Sequence, residues 1–164
     1  MDRLILFRHG KAEPDSLSGD DFDRRLQPRG ESEAAQMGER LAASGFSPDL
    51  VLVSAAQRTR ETWDAAAPAF PQAEVRFADD LYHAESAAVR RIAEEAGQGR
   101  RAVMVVGHNP GLHELTLRLM LEGETDRGLF AKAQRNFPTS AAAVFAFRDG
   151  RPAAEGLFLP ERWA

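Results

Sequence analysis

Short runs of apolar residues recur along the chain and are bounded by polar or turn-forming residues. The clearest runs cover residues 4–7, 50–53 and 102–106. Residues 74–77 are interpreted as a short further strand between the last two of these runs. Continuous apolar runs of this length are typical of strands that are buried on both faces, as in a parallel sheet. We therefore predict four strands in a sheet that is covered on both sides.

Apolar residues at helical spacing fill the segments between these strands. One helix is predicted to begin at Pro28, and a second covers residues 58–67. A third is predicted to be capped by Ser86, and a fourth to be capped by Asn109 with a proline in its first position. Residues 122–138 are expected to form a loop.

The last apolar stretch, "AAAVFAFRDGRPAAEGLFLP", predicts a hairpin that turns at Asp149-Gly150. Strands that alternate with helices predict an α/β fold. We expect three layers (α/β/α), with a mainly parallel sheet, helices on both of its faces and the hairpin at the C-terminal edge. The length of 164 residues fits a single domain, residues 1–164.

Composition narrows the classes of function. A formal net charge of −4 gives no general basic field, which argues against nucleic acid as a partner. The chain has no cysteine, which excludes disulfides, thiolate metal sites and a cysteine nucleophile. No apolar run approaches the roughly 18 residues of a membrane span, and the first run is too short for a signal peptide. We expect a cytoplasmic protein with no membrane partner.

Polar residues directly follow three of the predicted strands. In chain order they are Arg8, His9 and Gly10, then Ser54 and Arg58, then Gly107, His108 and Asn109. Right-handed crossovers bring the carboxyl ends of parallel strands to one edge of a sheet, which is where ligands bind in such folds. The sequence therefore predicts a pocket that contains two arginines and two histidines.

These residue types suit a phosphoryl group. The guanidinium of arginine is a planar, permanently charged fork that matches phosphate oxygens. A neutral imidazole can attack phosphorus, and the predicted helix start at Asn109 would add backbone N–H groups for an anion. Arginines can take the charge-stabilising role that magnesium has in other phosphoryl-transfer sites. We expect no metal and no other cofactor, and inorganic phosphate as product or inhibitor.

Three motifs, "RHG", "SAAQRTRET" and "GHNP", resemble those of the histidine phosphatase superfamily, also called phosphoglycerate-mutase-like. The stretches "RLQPRGESEA" and "GHNPGL" and the short chain are similar to its SixA group of phosphohistidine phosphatases. The resemblance implies that His9 is the phosphorylated nucleophile. It implies that Arg8, Arg58 and His108 line the phosphate pocket. Further candidates for substrate contacts or for orienting the first motif are Gly10, Asn109 and Arg29.

The chain departs from the wider superfamily in its general acid. Many members carry a glutamate after the third strand, whereas "DDLYHAESAAV" offers only Glu85, in a different context. An imidazole that leaves from phosphohistidine needs far less protonation than an alkoxide. The chain between Thr62 and Ala102 also leaves no room for a cap domain. We expect a metal-independent phosphatase that acts on phosphohistidine in a signalling or phosphorelay protein.

The nucleophile is expected to use one ring nitrogen while a backbone carbonyl holds the other as an N–H donor, and water then hydrolyses the phosphohistidine intermediate. Two alternatives remain open. One is a small-molecule phosphomonoesterase, with Glu85 or another carboxylate as its acid. The other is a phosphate-binding module without turnover. His113 is interpreted as structural and His83 as a residue of the site's rim. Residues 11–25 are expected to form a flexible loop whose acidic pair is solvated.

Overall fold

The structure is a computed structural model and describes residues 1–163. Its strands are β1 (Arg3–Arg8), β2 (Leu50–Ser54), β3 (Glu74–Ala78), β4 (Ala102–Gly107), β5 (Ala142–Arg148) and β6 (Arg151–Phe158). They form one sheet in the order β3-β2-β4-β1-β5-β6. The first four strands are parallel, and β5 runs antiparallel to both of its neighbours.

Helices cover both faces of this sheet. They are α1 (Pro28–Ala43), α2 (Gln57–Ala66), α3 (Ser86–Ala96), α4 (Gly111–Glu122) and α5 (Arg127–Arg135). Alternate residues of β1 point to opposite faces, as in any strand. Ile5 and Phe7 join the core under α1 and α2, whereas Leu4 and Leu6 join the core under the other three helices. The predicted three-layer α/β architecture is confirmed.

The C-terminal hairpin is also confirmed. Strands β5 and β6 meet at Asp149 and Gly150, which have φ angles of 52° and 77°. A two-residue hairpin turn of this kind needs left-handed backbone at both positions, and the Asp-Gly pair accommodates it at low cost. The hairpin places β6 at the edge of the sheet, beside the antiparallel strand β5.

The prediction of a loop over residues 122–138 is wrong, because α5 lies within it. The side chain of Asp126 caps this helix by accepting a hydrogen bond from the amide of Leu129 at 3.0 Å. Ala133, on the same helix, is fully buried in the core. The cap residue and the apolar residues three and seven positions later were the available signal.

The predicted caps of α3 and α4 are wrong as well. Ser86 is the first residue of α3, one position inside the helix, and Glu85 precedes it as the cap residue without a capping bond. Helix α4 begins at Gly111, and the side chain of Asn109 instead donates a hydrogen bond to the carbonyl of Phe137 at 2.8 Å. A partner distant in sequence therefore takes the Asn109 side chain away from the helix end.

The carboxyl ends of three adjacent strands form the edge that matters for function. Strand β1 lies beside β4, with Arg8 opposite Gly107, and β2 lies on the other side of β4. The start of α1 packs tightly behind the end of β1. A Cβ atom on Gly10 would lie 2.6 Å from the carbonyl oxygen of Gly30, so this backbone contact requires glycine. Within residues 1–163, none of the helices has the length and apolar character needed to cross a bilayer.

Candidate active site

His9 follows β1 directly and is buried, with 7% of its surface exposed. Its amide donates to the carbonyl of Gly107 at 3.1 Å, and its carbonyl accepts from the amide of Ser140 at 3.0 Å. The ring atom Nδ1 lies 2.7 Å from the carbonyl oxygen of Gly10. A carbonyl can only accept, so Nδ1 carries the hydrogen and the lone pair is on Nε2. This is the carbonyl contact expected for a nucleophilic histidine.

Gly10 is held in turn by the second sequence motif. Its amide donates to Oγ1 of Thr62 at 2.9 Å, and that hydroxyl donates to the carbonyl of Arg58 at 2.7 Å. The Gly10 amide is therefore hydrogen-bonded to α2. This bond holds in place the Gly10 backbone, whose carbonyl orients the His9 ring. A direct contact between Gly10 and a substrate stays a prediction.

Arg8 and Arg58 each keep one donor free inside the protein. Nη1 of Arg8 donates to the carbonyl of Phe137 at 3.1 Å, and Arg58 uses Nη1 and Nη2 for Asp21 at 2.8 and 3.1 Å. The Nε atom of both arginines is buried and has no partner among residues 1–163. Burial, and then the charge of Arg58, lower the pKa of Arg8. Buried hydrogen-bond donors without partners are rare in proteins. The two Nε–H groups are therefore available to bind an anion at this site.

His108 completes the group. Its ring centroid lies 5.4 Å from that of His9, and its Nε2 lies 2.8 Å from the hydroxyl of Ser54, while Nδ1 is buried without a partner among the described residues. Burial, followed by the charge of Arg58, lowers the pKa of His108 to about 3. Burial also holds the pKa of His9 well below its usual range. Both rings are therefore neutral at pH 7, and a Ser54 hydroxyl that donates to Nε2 leaves the Nδ1 hydrogen of His108 for an anion.

Asp21 is a residue of the site that sequence reasoning missed, because the acidic pair in its loop was expected to be solvated. Its carboxylate accepts hydrogen bonds from Tyr82 Oη at 2.5 Å, Arg24 Nε at 2.9 Å and Arg58 Nη2 at 3.1 Å. The Tyr82 hydroxyl and the Arg58 charge hold the pKa of Asp21 well below its usual range. No spacing in the sequence marks Asp21, since Tyr82 and Arg58 reach it only in the folded chain.

Two of the remaining candidates, Arg29 and Glu85, have exposed side chains. Arg29 is exposed, lies 3.8 Å from Glu33, and makes no hydrogen bond to the first motif within residues 1–163. Glu85 is exposed and lines, with His83 and His108, a recess of about 370 Å³.

Asn109 and His113 belong to the packing around the site. The Asn109 amide group binds the same Phe137 carbonyl that Arg8 binds, and its Oδ1 is buried without a partner in the described chain. His113 donates from Nε2 to the carbonyl of Ala133 at 2.7 Å and so joins α4 to α5. Among residues 1–163, no three His, Asp or Glu side chains are grouped so that they could hold a metal ion.

A family model for the histidine phosphatase superfamily (branch 1) matches residues 4–85, half of the chain. The chain belongs to the histidine phosphatase superfamily. An uncharacterised protein of Mycobacterium tuberculosis is 36% identical over 138 residues, which are 84% of either chain. The SixA protein of Agrobacterium tumefaciens, assigned as a phosphohistidine phosphatase, is 30% identical with a TM-score of 0.82, over 97% of this chain and 98% of its own. A protein histidine phosphatase SixA complexed with tungstate is 20% identical with a TM-score of 0.78, over 99% of both chains.

The resemblance drawn from the three motifs is thus confirmed, and this histidine phosphatase has a fold of the SixA type. The motifs lie at the ends of three adjacent strands and bring Arg8, His9, Arg58 and His108 together. The chain is a phosphatase, and a phosphorylated compound is its substrate.

The neutral state of His108 can be tested by titration. We expect the ring of His108 to stay neutral as the pH is lowered to 5, because its pKa of about 3 in the folded chain lies below the ordinary value of 6.5. NMR chemical shifts of the ring nitrogen and carbon atoms report the protonation state. Between these two values the unfolded chain binds a proton that the folded chain does not, so the free energy of unfolding falls as the pH falls. Phosphate should raise this pKa, since an anion favours imidazolium. A midpoint near 6.5 without phosphate would contradict the buried, neutral assignment.

The contact of Asp21 with Arg58 predicts an effect on phosphate affinity. We expect Asp21→Asn to weaken phosphate binding and raise KM roughly tenfold, because charge-assisted hydrogen bonds that orient Arg58 are lost. Asp20→Asn is the matched control: it removes the same charge one residue away, and the Asp20 side chain makes no hydrogen bond within residues 1–163. Calorimetric titration with inorganic phosphate gives the affinity. Tighter binding by Asp21→Asn would instead mean that Asp21 competes with phosphate for Arg58.

Proposed function

We propose that this histidine phosphatase hydrolyses phosphohistidine in a protein, without a metal ion, through a phosphohistidine intermediate on His9. The observation that carries the proposal is the state of the His9 ring: Gly10 holds its Nδ1 hydrogen, and burial keeps the ring neutral. Nε2 is thus a nucleophile without prior deprotonation. Its neighbours Arg8 and Arg58 each keep a buried Nε atom that has no partner among the described residues.

The reaction has two steps. In the first, Nε2 of His9 forms a bond to phosphorus while the bond from phosphorus to the substrate's imidazole nitrogen breaks. The leaving imidazole keeps the electron pair and takes a proton from solvent. In the second, the oxygen of a water molecule bonds to phosphorus, the electron pair of the breaking N–P bond returns to Nε2, and inorganic phosphate leaves. The proton that the water loses passes to solvent.

Positive charge at the phosphoryl oxygens is the main catalytic contribution of the chain. Arg8 and Arg58 supply two fixed cations whose orientation is set before substrate arrives, by Phe137 and Asp21 respectively. The Nδ1 hydrogen of His108 supplies a further donor. Preorganised donors in a buried site are worth more than the same donors in water, because they need no reorganisation. Two guanidinium groups support the proposal that no metal ion is required.

The preference for phosphohistidine rests on the surroundings of the leaving group. The carboxylate of Asp21 accepts three hydrogen bonds and stays ionised, so it cannot donate a proton. Glu85 is exposed at the start of α3. The chain between Thr62 and Ala102 is used by α2, β3 and α3, which supports a single domain with an uncapped site open to a protein. The SixA neighbours support the same substrate class.

A small-molecule phosphomonoesterase is the second candidate. The recess of about 370 Å³ beside His108 has the size for a small leaving group, and its lining includes Glu85 and His83. Either side chain could approach an alkoxide there. A binding module without turnover is less well supported, since a binder needs the arginines but no free lone pair on His9.

A series of leaving groups tests the proposal. We expect kcat/KM to be highest for a phosphohistidine protein, lower for an aryl phosphate and lower by at least about 100-fold for an alkyl phosphate, since no acid protonates the alkoxide. EDTA should leave these rates unchanged. Glu85→Gln should change none of them, as should the control Glu95→Gln, an exposed residue of the same helix.

If kcat/KM were similar for all leaving groups in the unchanged protein, but depended steeply on the leaving group in the Glu85→Gln variant, the small-molecule phosphatase would be favoured. Strict dependence on magnesium or zinc would contradict the role given to the two arginines. Binding of phosphate without turnover of any substrate would favour the binding module.

A further inference from the structure

The loop between β1 and α1, which contacts Arg58 through Asp21, presents an exposed leucine. Leu17 is fully exposed, although most large apolar side chains of the described chain are buried. It borders a recess of about 660 Å³ whose lining extends from this loop to Gln57 on α2. We call residues 13–25 the docking loop. A single exposed leucine is common on protein surfaces, so the case for a partner rests on the recess beside Leu17 and on the charges that line it.

Side-chain hydrogen bonds give the docking loop a defined shape. Ser16 Oγ donates to the carbonyl of Asp20 at 2.7 Å, and Ser18 Oγ donates to Oδ2 of Asp23 at 2.6 Å. The amide of Gly19, whose φ is 84°, donates to the carbonyl of Ser16 at 3.2 Å. The loop that the sequence predicts to be flexible is therefore folded by these hydrogen bonds. They leave the side chain of Leu17 on its outer surface.

The docking loop is hydrogen-bonded to α2, the helix that carries Arg58. Glu61 on α2 accepts hydrogen bonds from the side chain of Gln57 at 2.6 Å, from the side chain of Arg25 at 3.1 Å and from the amide of Leu26 at 2.9 Å. Asp21 adds the contact with Arg58 itself. A molecule that covers Leu17 would thus lie on the elements that hold a phosphate-binding arginine.

The charges of the recess indicate what kind of molecule fits. Three carboxylates line it, those of Glu13, Asp15 and Asp23. Its only lining cation among the described residues is Arg25, which Glu61 already neutralises. The recess is therefore apolar at Leu17 and negative around it. A complementary partner carries an apolar side chain that is flanked by lysine or arginine.

We propose that the docking loop binds the protein substrate, with an apolar side chain of the substrate against Leu17 and basic residues against the three carboxylates. This inference rests on the proposed function, since it supplies the surface that places a protein's phosphohistidine at His9. A second copy of this chain fits less well, because a symmetric contact would bring two acidic loops together.

Two chemically phosphorylated peptides test the docking loop. Both carry one phosphohistidine, flanked in one peptide by leucine and lysines and in the other by alanine and glutamates. We expect kcat/KM to be higher for the leucine–lysine peptide, and Leu17→Ser to lower that value about tenfold. Hydrolysis of an aryl phosphate, which has no apolar side chain to place against Leu17, should stay as in the unchanged protein. Leu121→Ser is the matched control, because Leu121 is 73% exposed at the end of α4.

Equal loss of peptide and aryl phosphate turnover by Leu17→Ser, or no loss of either, would overturn the proposal. So would a dimer in sedimentation that Leu17→Ser dissociates, since the occupant would then be a second copy. If the protein hydrolyses the aryl phosphate but neither peptide, the proposed function fails. Fluorescence anisotropy of the unphosphorylated leucine–lysine peptide then tests the docking loop separately. We expect the peptide to bind the unchanged protein and to bind the Leu17→Ser variant more weakly. Failure of the peptide to bind the unchanged protein would overturn the docking proposal.

Discussion

The hydrogen bond from Nδ1 of His9 to the carbonyl of Gly10 is the constraint on which the site depends. It leaves the lone pair on Nε2, and the surrounding fold prevents either residue from turning away. The end of β1 holds His9 between Gly107 and Ser140, while Thr62 and the close approach of Gly30 hold Gly10. A buried strand that runs straight into Arg-His-Gly thus gives the proposed nucleophile a rigid backbone.

Electrostatics explains why this pocket is suited to phosphate. Two guanidinium groups and two imidazoles lie close together and largely out of water, which disfavours further positive charge and keeps both rings neutral. An incoming anion relieves this repulsion and supplies partners for the buried Nε atoms of Arg8 and Arg58. Asp21 accepts from Nη1 and Nη2 of Arg58, so that in the proposed mechanism Nε, which has no partner among the described residues, is left for the phosphoryl group.

Much of this arrangement could be predicted from the sequence because it depends on strands and their ends. Continuous apolar runs identify β1, β2 and β4, and the polar residues after them give Arg8, His9, Arg58 and His108 as candidates. Asp21 and Tyr82 could not be predicted, since their contacts join segments distant in the chain. The folded shape of the docking loop depends on local side-chain hydrogen bonds whose geometry no sequence pattern specifies. Helix α5 lies where the sequence predicts a loop, although Asp126 marks its start. Asn109 is predicted to cap α4, whereas its side chain binds the carbonyl of Phe137.

The position of the phosphoryl group on the enzyme tests the account most directly. The protein would be mixed with a phosphohistidine substrate, quenched at alkaline pH during turnover, and analysed by phosphorus NMR and tandem mass spectrometry. Because the Gly10 carbonyl occupies Nδ1, we expect phosphorus on Nε2 of His9 and none in the His9→Ala variant. Phosphorus on Nδ1 of His9, or on another residue, would contradict it.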